Sequence, residues 1–436
     1  MKRGFVVMSL INNVVRETKS LCPDCLKTIK ASIYEKNGAM YMYKVCEEHG
    51  EFHTLVWEDT KENYLEWIEY GGEARDQNVN SNPRPTTHNC PHDCGICSDH
   101  VQNISTAALM TTNVCDVNCP ICFTKDGQQG VYKPSNEELL NMASHYQDTF
   151  SSEHPIELCG GEPTTRDDLP ELAKGLREMG FDHIQLNTNG IRISKDLDFL
   201  KALKESGVTV IYLGFDGFSD KVYEKKYGRK MLDVKLKAIE NCKTAEIGVV
   251  LVPVVMKGVN DSSLGEIIEI AKKNMPTVRG VYFQPVSFFG NYPTAPSNDE
   301  RITIPGVLSC LEEQTCGEVK KVHFMPAGSE HALCSFNALY ALNKDNTLKA
   351  VTKYGPRGIN EDSAKKVSEF NKRSWRYSKM KTLTIGGMHF QDVWNIDVER
   401  LRQCRLCIIS EDERIIPLCT KYVTSTKGEK LYSGIS

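Results

Sequence analysis

A chain of 436 residues with 40% hydrophobic and 25% charged side chains has the make-up of a globular protein, large enough for one main domain with appendages. Its net charge of −4 gives no reason to expect a nucleic acid or another polyanion as partner, and no apolar run approaches the ~18 residues of a membrane span. The 17 cysteines fall mostly in short-spaced groups, which suits metal ligation in a reduced cytoplasm better than a disulfide framework.

Lys2 and Arg3 precede an apolar stretch, but no small-residue cleavage site follows, so no signal peptide is expected. Residues 1–75 read as a small metal-binding module of zinc-ribbon or rubredoxin type. Cys22-Pro-Asp-Cys25 and Cys46-Glu-Glu-His49 flank a hairpin that turns at Asn37-Gly38, a dipeptide that tolerates the positive φ of a two-residue turn. Cys22, Cys25 and Cys46 are three ligands, and the fourth is His49 or a cysteine of the next group. Such a thiolate-rich site takes mononuclear zinc or iron. Residues 76–104 form a linker, polar over 76–88, that ends in a second ligand group: Cys90, Cys94 and Cys97.

From 105 to 295 strand and helix patterns alternate. Strands are expected at 107–113, 156–162, 183–190, 208–217, 247–255 and 280–287. Helices are expected at 136–149, 168–179, 195–206, 231–244 and 261–274, the first opened by a capping box of Ser135 and Glu138. Six β/α units in series imply an α/β fold, a parallel sheet curved into a partial (β/α)6 barrel. Sites on such barrels lie at the carboxyl ends of the strands. Four features fall there: the loop Cys115-x3-Cys119-x2-Cys122, then Gly160-Gly161-Glu162, Asn187 to Asn189, and Asp216.

Iron–sulfur clusters are held by cysteine thiolates, usually four. Three from one loop leave one iron of a [4Fe–4S] cube open, and an open metal position is where a substrate can coordinate. The alternative is a plain zinc or ferredoxin-type site. The glycine pair and carboxylate after the next strand argue against it, because glycines permit close approach and a carboxylate can accept from an ammonium. Residues 296–436 look less regular. There Cys404, Cys407 and Cys419, with Cys334 as the fourth, read as ligands of an auxiliary cluster. Cys159, Cys242, Cys310 and Cys316 read as ordinary core or surface cysteines.

The cluster loop with its downstream Gly-Gly-Glu resembles the radical S-adenosylmethionine (SAM) enzymes. Further motifs narrow the resemblance: Cys22-Pro-Asp-Cys25 with Cys46-Glu-Glu-His49-Gly50, Cys90-Pro-His-Asp-Cys94-Gly-Ile-Cys97, Leu186-Asn-Thr-Asn-Gly190, Phe283-Gln-Pro-Val-Ser287 and Arg414-Ile-Ile-Pro-Leu-Cys419. In this order they resemble archaeal tetraether lipid synthase and its relatives, the class D methyltransferases of the methanopterin pterin ring. The resemblance implies that Cys115, Cys119 and Cys122 hold the SAM cluster and that Gly160, Gly161 and Glu162 take the methionyl amino group. It further implies that Asn187 and Asp216 contact the SAM ribose or carboxylate, and that Phe123 packs near adenine. One or two auxiliary [4Fe–4S] clusters and a mononuclear metal accompany the SAM cluster in this family.

The implied reaction is reductive cleavage of SAM to a 5′-deoxyadenosyl radical. Hydrogen is then taken from an unactivated sp3 carbon, and a C–C bond forms, by coupling or by methylation of a pterin or other small metabolite. The implied partners are an external flavodoxin- or ferredoxin-type electron donor and a lipid or small-molecule substrate. A reading of another class, a non-catalytic iron–sulfur carrier or redox sensor, would have no use for the Gly-Gly-Glu element.

Overall fold

A computed structural model describes residues 14–71, 86, 88–95, 97–101, 104–124, 130–150, 154–328, 330–352, 369–370, 372–412 and 414–432. The N-terminal stretch 1–13 and, apart from 86 and 88, the expected linker 76–88 lie outside these residues.

Four strands, β1 (Val14–Leu21), β2 (Thr28–Lys36), β3 (Ala39–Cys46) and β4 (Gly50–Trp57), form an antiparallel sheet in chain order. The β2–β3 turn has positive φ at both Asn37 (53°) and Gly38 (72°), as the Asn-Gly signal requires. Ile33, Met40, Met42 and Trp57 bury one face of this sheet against Tyr64 and Trp67 of the helix Lys61–Gly71. The module is fastened to the rest of the chain by buried polar groups. Trp67 Nε1 donates to the Ala332 carbonyl at 2.9 Å, and the buried Lys44 ammonium donates to Ser20 Oγ and to the carbonyls of Leu21 and Val393.

The main sheet has 12 strands. Its centre is the expected series: β5 (Thr106–Thr112), β6 (Ile156–Gly160), β7 (Ile184–Thr188), β8 (Val208–Gly214) and β9 (Gly248–Val252), then the short β10 (Val254–Val255) and β11 (Val278–Pro285). Neighbours in this series pair in parallel. The C-terminal region is more regular than expected. It supplies β12 (Ser335–Leu342), β13 (Leu348–Ala350), β14 (Thr382–Met388), β15 (Leu406–Ile409) and β16 (Ile415–Pro417). β14 joins β11 in parallel and β15 joins β5 in parallel, so the sheet continues past residue 295 on both sides of the expected barrel.

Alternation along the parallel strands splits their side chains between two faces. Ile156 and Leu158, Ile184 and Leu186, Ile211 and Leu213, and Val249 and Leu251 pack outward with the helices. Glu157 and Cys159, Gln185 and Asn187, Val210 and Tyr212, and Tyr282 and Gln284 lie on the inner face, the bore of the partial barrel. Residues 372–381 plug the bore at the amino ends of the strands. Buried Arg279 donates to the carbonyls of Ser374 (3.0 Å) and Met380 and to Thr382 Oγ1, and a Cβ on Gly248 would run into the Trp375 carbonyl. Among the described residues no helix is long and apolar enough to cross a membrane.

Candidate active site

β5 ends at Thr112 and feeds the cysteine loop, which backbone contacts pin from both sides. Gly161 N–H donates to Thr112 O at 2.7 Å and Glu162 N–H to Val114 O at 2.8 Å. On the far side, Cys122 and Asn291 exchange two backbone hydrogen bonds of 3.0 and 2.9 Å, and Asn291 Nδ2 donates to Pro120 O. The glycine pair is a packing requirement: a Cβ on Gly160 would meet Thr112 O, one on Gly161 would meet Val114 O, and Gly160 has φ of 145°. Close approach is thus between the end of β6 and the cysteine loop itself.

Cys115, Cys119 and Cys122 are half-buried on this loop, and burial pushes the Cys115 thiol up to about 12. Among the described residues, the one group of three or more metal-ligating side chains whose ligand atoms all lie within 4.8 Å of one another is elsewhere. A single tetrahedral ion ~2.3 Å from each sulfur draws its ligands at least that close. Three soft thiol donors on one pinned loop suit an iron–sulfur cube.

Glu162 ties the end of β6 to the end of β7. It is 1% exposed. Oε1 accepts from Thr164 N–H (3.1 Å), Thr164 Oγ1 (2.6 Å) and Thr188 Oγ1 (2.8 Å), while Oε2 accepts from Asn189 N–H alone (2.6 Å). Burial raises its pKa, and these four donors oppose the rise. Asn189 reaches on to the cysteine loop, its Nδ2 donating to Asp116 Oδ1 at 2.6 Å. Beneath it the buried Lys235 ammonium donates to Asn189 O at 2.6 Å and lies 4.8 Å from the Tyr227 ring centre, with burial lowering its pKa to about 8.

The other expected contacts are distributed around this hub. Asp216, fully buried, accepts from Lys226 Nζ, Tyr227 Oη (2.9 Å) and Val254 N–H (2.9 Å). Its carboxylate therefore braces the ends of β8 and β10. Asn187 turns into the bore, where its Nδ2 donates to Glu157. Phe123 is 37% exposed and stands edge-on to Tyr422, ring centres 4.9 Å apart. Thr188, Lys235, Glu157 and Tyr422 were not singled out from sequence. Lys235 sits in a helix whose charges read as a solvated face, and nothing in the spacing marks it as buried.

The N-terminal knuckles converge as expected. Cys22, Cys25, Cys46 and His49 form the group within 4.8 Å, with His49 Nδ1 3.6 Å from Cys22 Sγ and 3.4 Å from Cys46 Sγ. His49, and not a cysteine of the 90–97 group, completes the set. A structural ion in such a site contributes folding energy directly. Exchanging Cys46 for Ala should therefore remove one equivalent of metal and lower the thermal midpoint, with iron elsewhere retained. Unchanged metal content would show that these four side chains hold no ion.

Seven further cysteines gather around the junction of β15 with the 90–97 group. Pairing of β15 with β5, reinforced by Val101 N–H to Arg402 O and Ser105 N–H to Arg405 O, brings Cys404 and Cys407 beside the 90–97 group. Cys90, Cys94 and Cys97 line a small cavity with His100, Leu401 and Pro417. Cys94 lies within electrostatic range of Cys404 and Cys407, and Cys419 within range of Cys404 and Cys334. Arg400 donates to Cys334 Sγ at 3.1 Å, which opposes the upward push of burial on that thiol. These seven cysteines fit auxiliary iron–sulfur ligation.

Comparison with known proteins agrees with this geometry. The Radical SAM superfamily pattern matches residues 109–271, and that of the HMPTM N-terminal zinc ribbon domain matches residues 14–58. The chain is 29% identical to the mitochondrial GTP 3′,8-cyclase of Arabidopsis thaliana over 42% of its own length and 46% of that protein's. It is 28% identical to a probable GTP 3′,8-cyclase of Pyrococcus abyssi over 39% of this chain and 54% of that one. Similarity to the 7,8-dihydro-6-hydroxymethylpterin dimethyltransferase of Methanocaldococcus jannaschii is 35% identity, covering 93% of both chains. Of the two branches the sequence resembles, this likeness falls on the methyltransferases, and lipid synthesis gains no support from it. This protein is a radical SAM enzyme with a [4Fe–4S] cluster and SAM as cofactors, and it belongs to the family of that pterin dimethyltransferase.

Proposed function

We propose that this enzyme methylates a reduced pterin at sp3 carbon. The observation that carries the reading is similarity to the pterin dimethyltransferase over 93% of both chains. The inner face of the sheet supports it: Glu157, Gln185, Asn187, Tyr212, Tyr282 and Gln284 set polar and aromatic groups among its apolar residues, which a lipid chain would not call for.

In this reading Cys115, Cys119 and Cys122 would hold the cluster, and SAM when bound would supply the radical chemistry that takes hydrogen from the substrate. The chain's own task is positioning. Oε2 of Glu162, the oxygen with one donor, has the lone pair to accept from the methionyl ammonium. Asn189 and Lys235 hold the end of β7 in place beneath it, buried Asp216 braces the strand ends behind the site in place of the direct SAM contact expected of it, Asn187 serves the bore through Glu157, and Phe123 offers a ring edge for adenine. Cys22, Cys25, Cys46 and His49 hold zinc or iron. Cys90, Cys94, Cys97, Cys334, Cys404, Cys407 and Cys419 hold one or two auxiliary clusters. The external reductant is a flavodoxin- or ferredoxin-type protein in a reducing cytoplasm.

Two sp3 carbons are available in 7,8-dihydro-6-hydroxymethylpterin: ring C7 and the hydroxymethyl carbon. Anaerobic incubation with SAM, reductant, a separate methyl donor and substrate deuterated at these positions should place deuterium in 5′-deoxyadenosine and add methyl mass to the pterin. SAM cleavage that proceeds without transfer of label from any pterin would overturn the reading.

A further inference from the structure

Binding of SAM leaves one buried carboxylate without a task. Glu157 lies on the inner face of β6, beside Gln185 in register and below Cys159. It is three residues short of the strand end at Gly160, so on the order of 10 Å below the cysteine loop. Its Oε1 accepts from Asn187 Nδ2, the one donor it has among the described residues. The side chain nevertheless keeps accessible surface, as do Asn187, Tyr282 and Gln284 on the same face. Open space therefore adjoins them within the bore.

The surroundings are flat and aromatic. Tyr212 and Tyr282 have ring centres 6.1 Å apart, with Trp375 beneath them at 5.4 and 6.4 Å. Higher up, Tyr422 packs between Phe123 and Phe289, within electrostatic range of both Glu157 and Cys122. Its hydroxyl is buried and has no hydrogen-bond partner among the described residues. A buried carboxylate with one donor and a buried hydroxyl with none are both costly, and both are relieved by an occupant that brings hydrogen-bonding groups. Burial pushes the Glu157 carboxyl up to about 7, so donors from an occupant would also restore its charge.

We propose that the bore is the substrate pocket and that Glu157 is its specificity-determining residue, reading a planar heterocycle through two adjacent N–H donors. A 2-amino-4-oxopyrimidine edge, as in a pterin, presents such a pair, N3–H and the 2-amino group, to both carboxylate oxygens at once. The inference rests on the pterin reading above and deepens it. Anchored by that edge, the bicycle would lie against Tyr212 and Tyr282 with its opposite end pointing up the bore. C7 and the hydroxymethyl group are at that end, facing the cysteine loop, and Tyr422 Oη lies on the wall beside them. A site built to hydrogen-bond a given edge rejects analogues that lack it, because its buried polar groups are then left unpaired.

The test is equilibrium binding to the anaerobically reconstituted enzyme. Two probes are compared: 7,8-dihydro-6-hydroxymethylpterin, and its analogue with oxygen in place of the 2-amino group. Wild type should prefer the pterin by ~10-fold or more, the loss of one charge-assisted hydrogen bond. In Glu157→Gln the preference should collapse and pterin affinity should fall ~10- to 100-fold. Glu157→Asp should keep the preference at reduced affinity, with iron content and thermal midpoint serving as folding checks. Wild-type affinity and preference in Glu157→Gln, or a wild type indifferent to the 2-amino group, would overturn the role of Glu157 while leaving the methyltransferase reading intact. A wild type that neither binds nor methylates pterin overturns both.

Discussion

Exchanging Cys119 for Ala should abolish SAM cleavage and remove about one four-iron cluster per chain, while the metal of the N-terminal site and the auxiliary iron remain. The thiol stands on the loop between β5 and Asn291, half-buried against Val117, Ile191, Tyr223 and Met231. Its loss leaves two thiolates on a loop whose backbone is fixed by Gly161, Glu162 and Asn291, and no other described cysteine lies on that loop. Compensation by loop movement is therefore closed off. Cys242 makes the matched control. It is fully buried in the core, with its thiol pushed up by burial, so Cys242→Ala should lose some stability and no iron. Iron and sulfide analysis, with 5′-deoxyadenosine formed under dithionite as the activity readout, distinguishes the two. Unchanged 5′-deoxyadenosine formation in Cys119→Ala would sink the cluster assignment.

The sequence signalled best where local chemistry and global fold ask for the same residue. Ser135 and Glu138 form the anticipated capping box, with reciprocal bonds of 2.7 and 3.2 Å. The six strand patterns lie within a few residues of β5 to β11, because apolar residues recur along each at the two-residue period of a strand. Gly160-Gly161-Glu162 and the cysteine loop were legible as motifs, although the glycines serve the packing of one loop on another. The C-terminal strands were not legible. β15 and β16 have 4 and 3 residues, too short for a period to emerge. β14 carries Gly386-Gly387, which reads as a turn. In the fold these glycines are forced: a Cβ on Gly387 would meet Phe283 O across the β11 pairing.

Glu157 was hidden by the same alternation that revealed its strand. Ile156-Glu157-Leu158-Cys159 reads as one buried and one solvated face, and closure of the barrel makes both faces interior. Lys235 was hidden likewise on a helix. Buried charges of this kind depend on partners far apart in sequence, such as Asn189 for Lys235 and Asn187 for Glu157, which no local pattern reports.

Glu162→Gln should lower SAM affinity by roughly 10- to 100-fold without loss of iron, the equivalent of a charge-assisted hydrogen bond of ~1.5–3 kcal/mol. The geometry adds a second consequence. The carboxylate accepts on both oxygens, three donors at Oε1 and the Asn189 amide at Oε2. A glutamine amide has one oxygen, so one side must face N–H against N–H or O–H. If the oxygen stays with Thr164 and Thr188, the Asn189 amide loses its acceptor, and an unpaired buried N–H costs ~1–3 kcal/mol. Asn189 also holds Asp116 of the cysteine loop, so the strain falls where SAM binds. The variant should therefore show a lower thermal midpoint together with weaker SAM binding. Glu162→Asp keeps the charge but withdraws it by one methylene, and should recover part of the SAM affinity and little of the stability. A purely structural role predicts the same loss of stability in both variants, but with SAM bound as tightly as by wild type. Equilibrium SAM binding measured beside thermal unfolding on the same reconstituted samples decides between them.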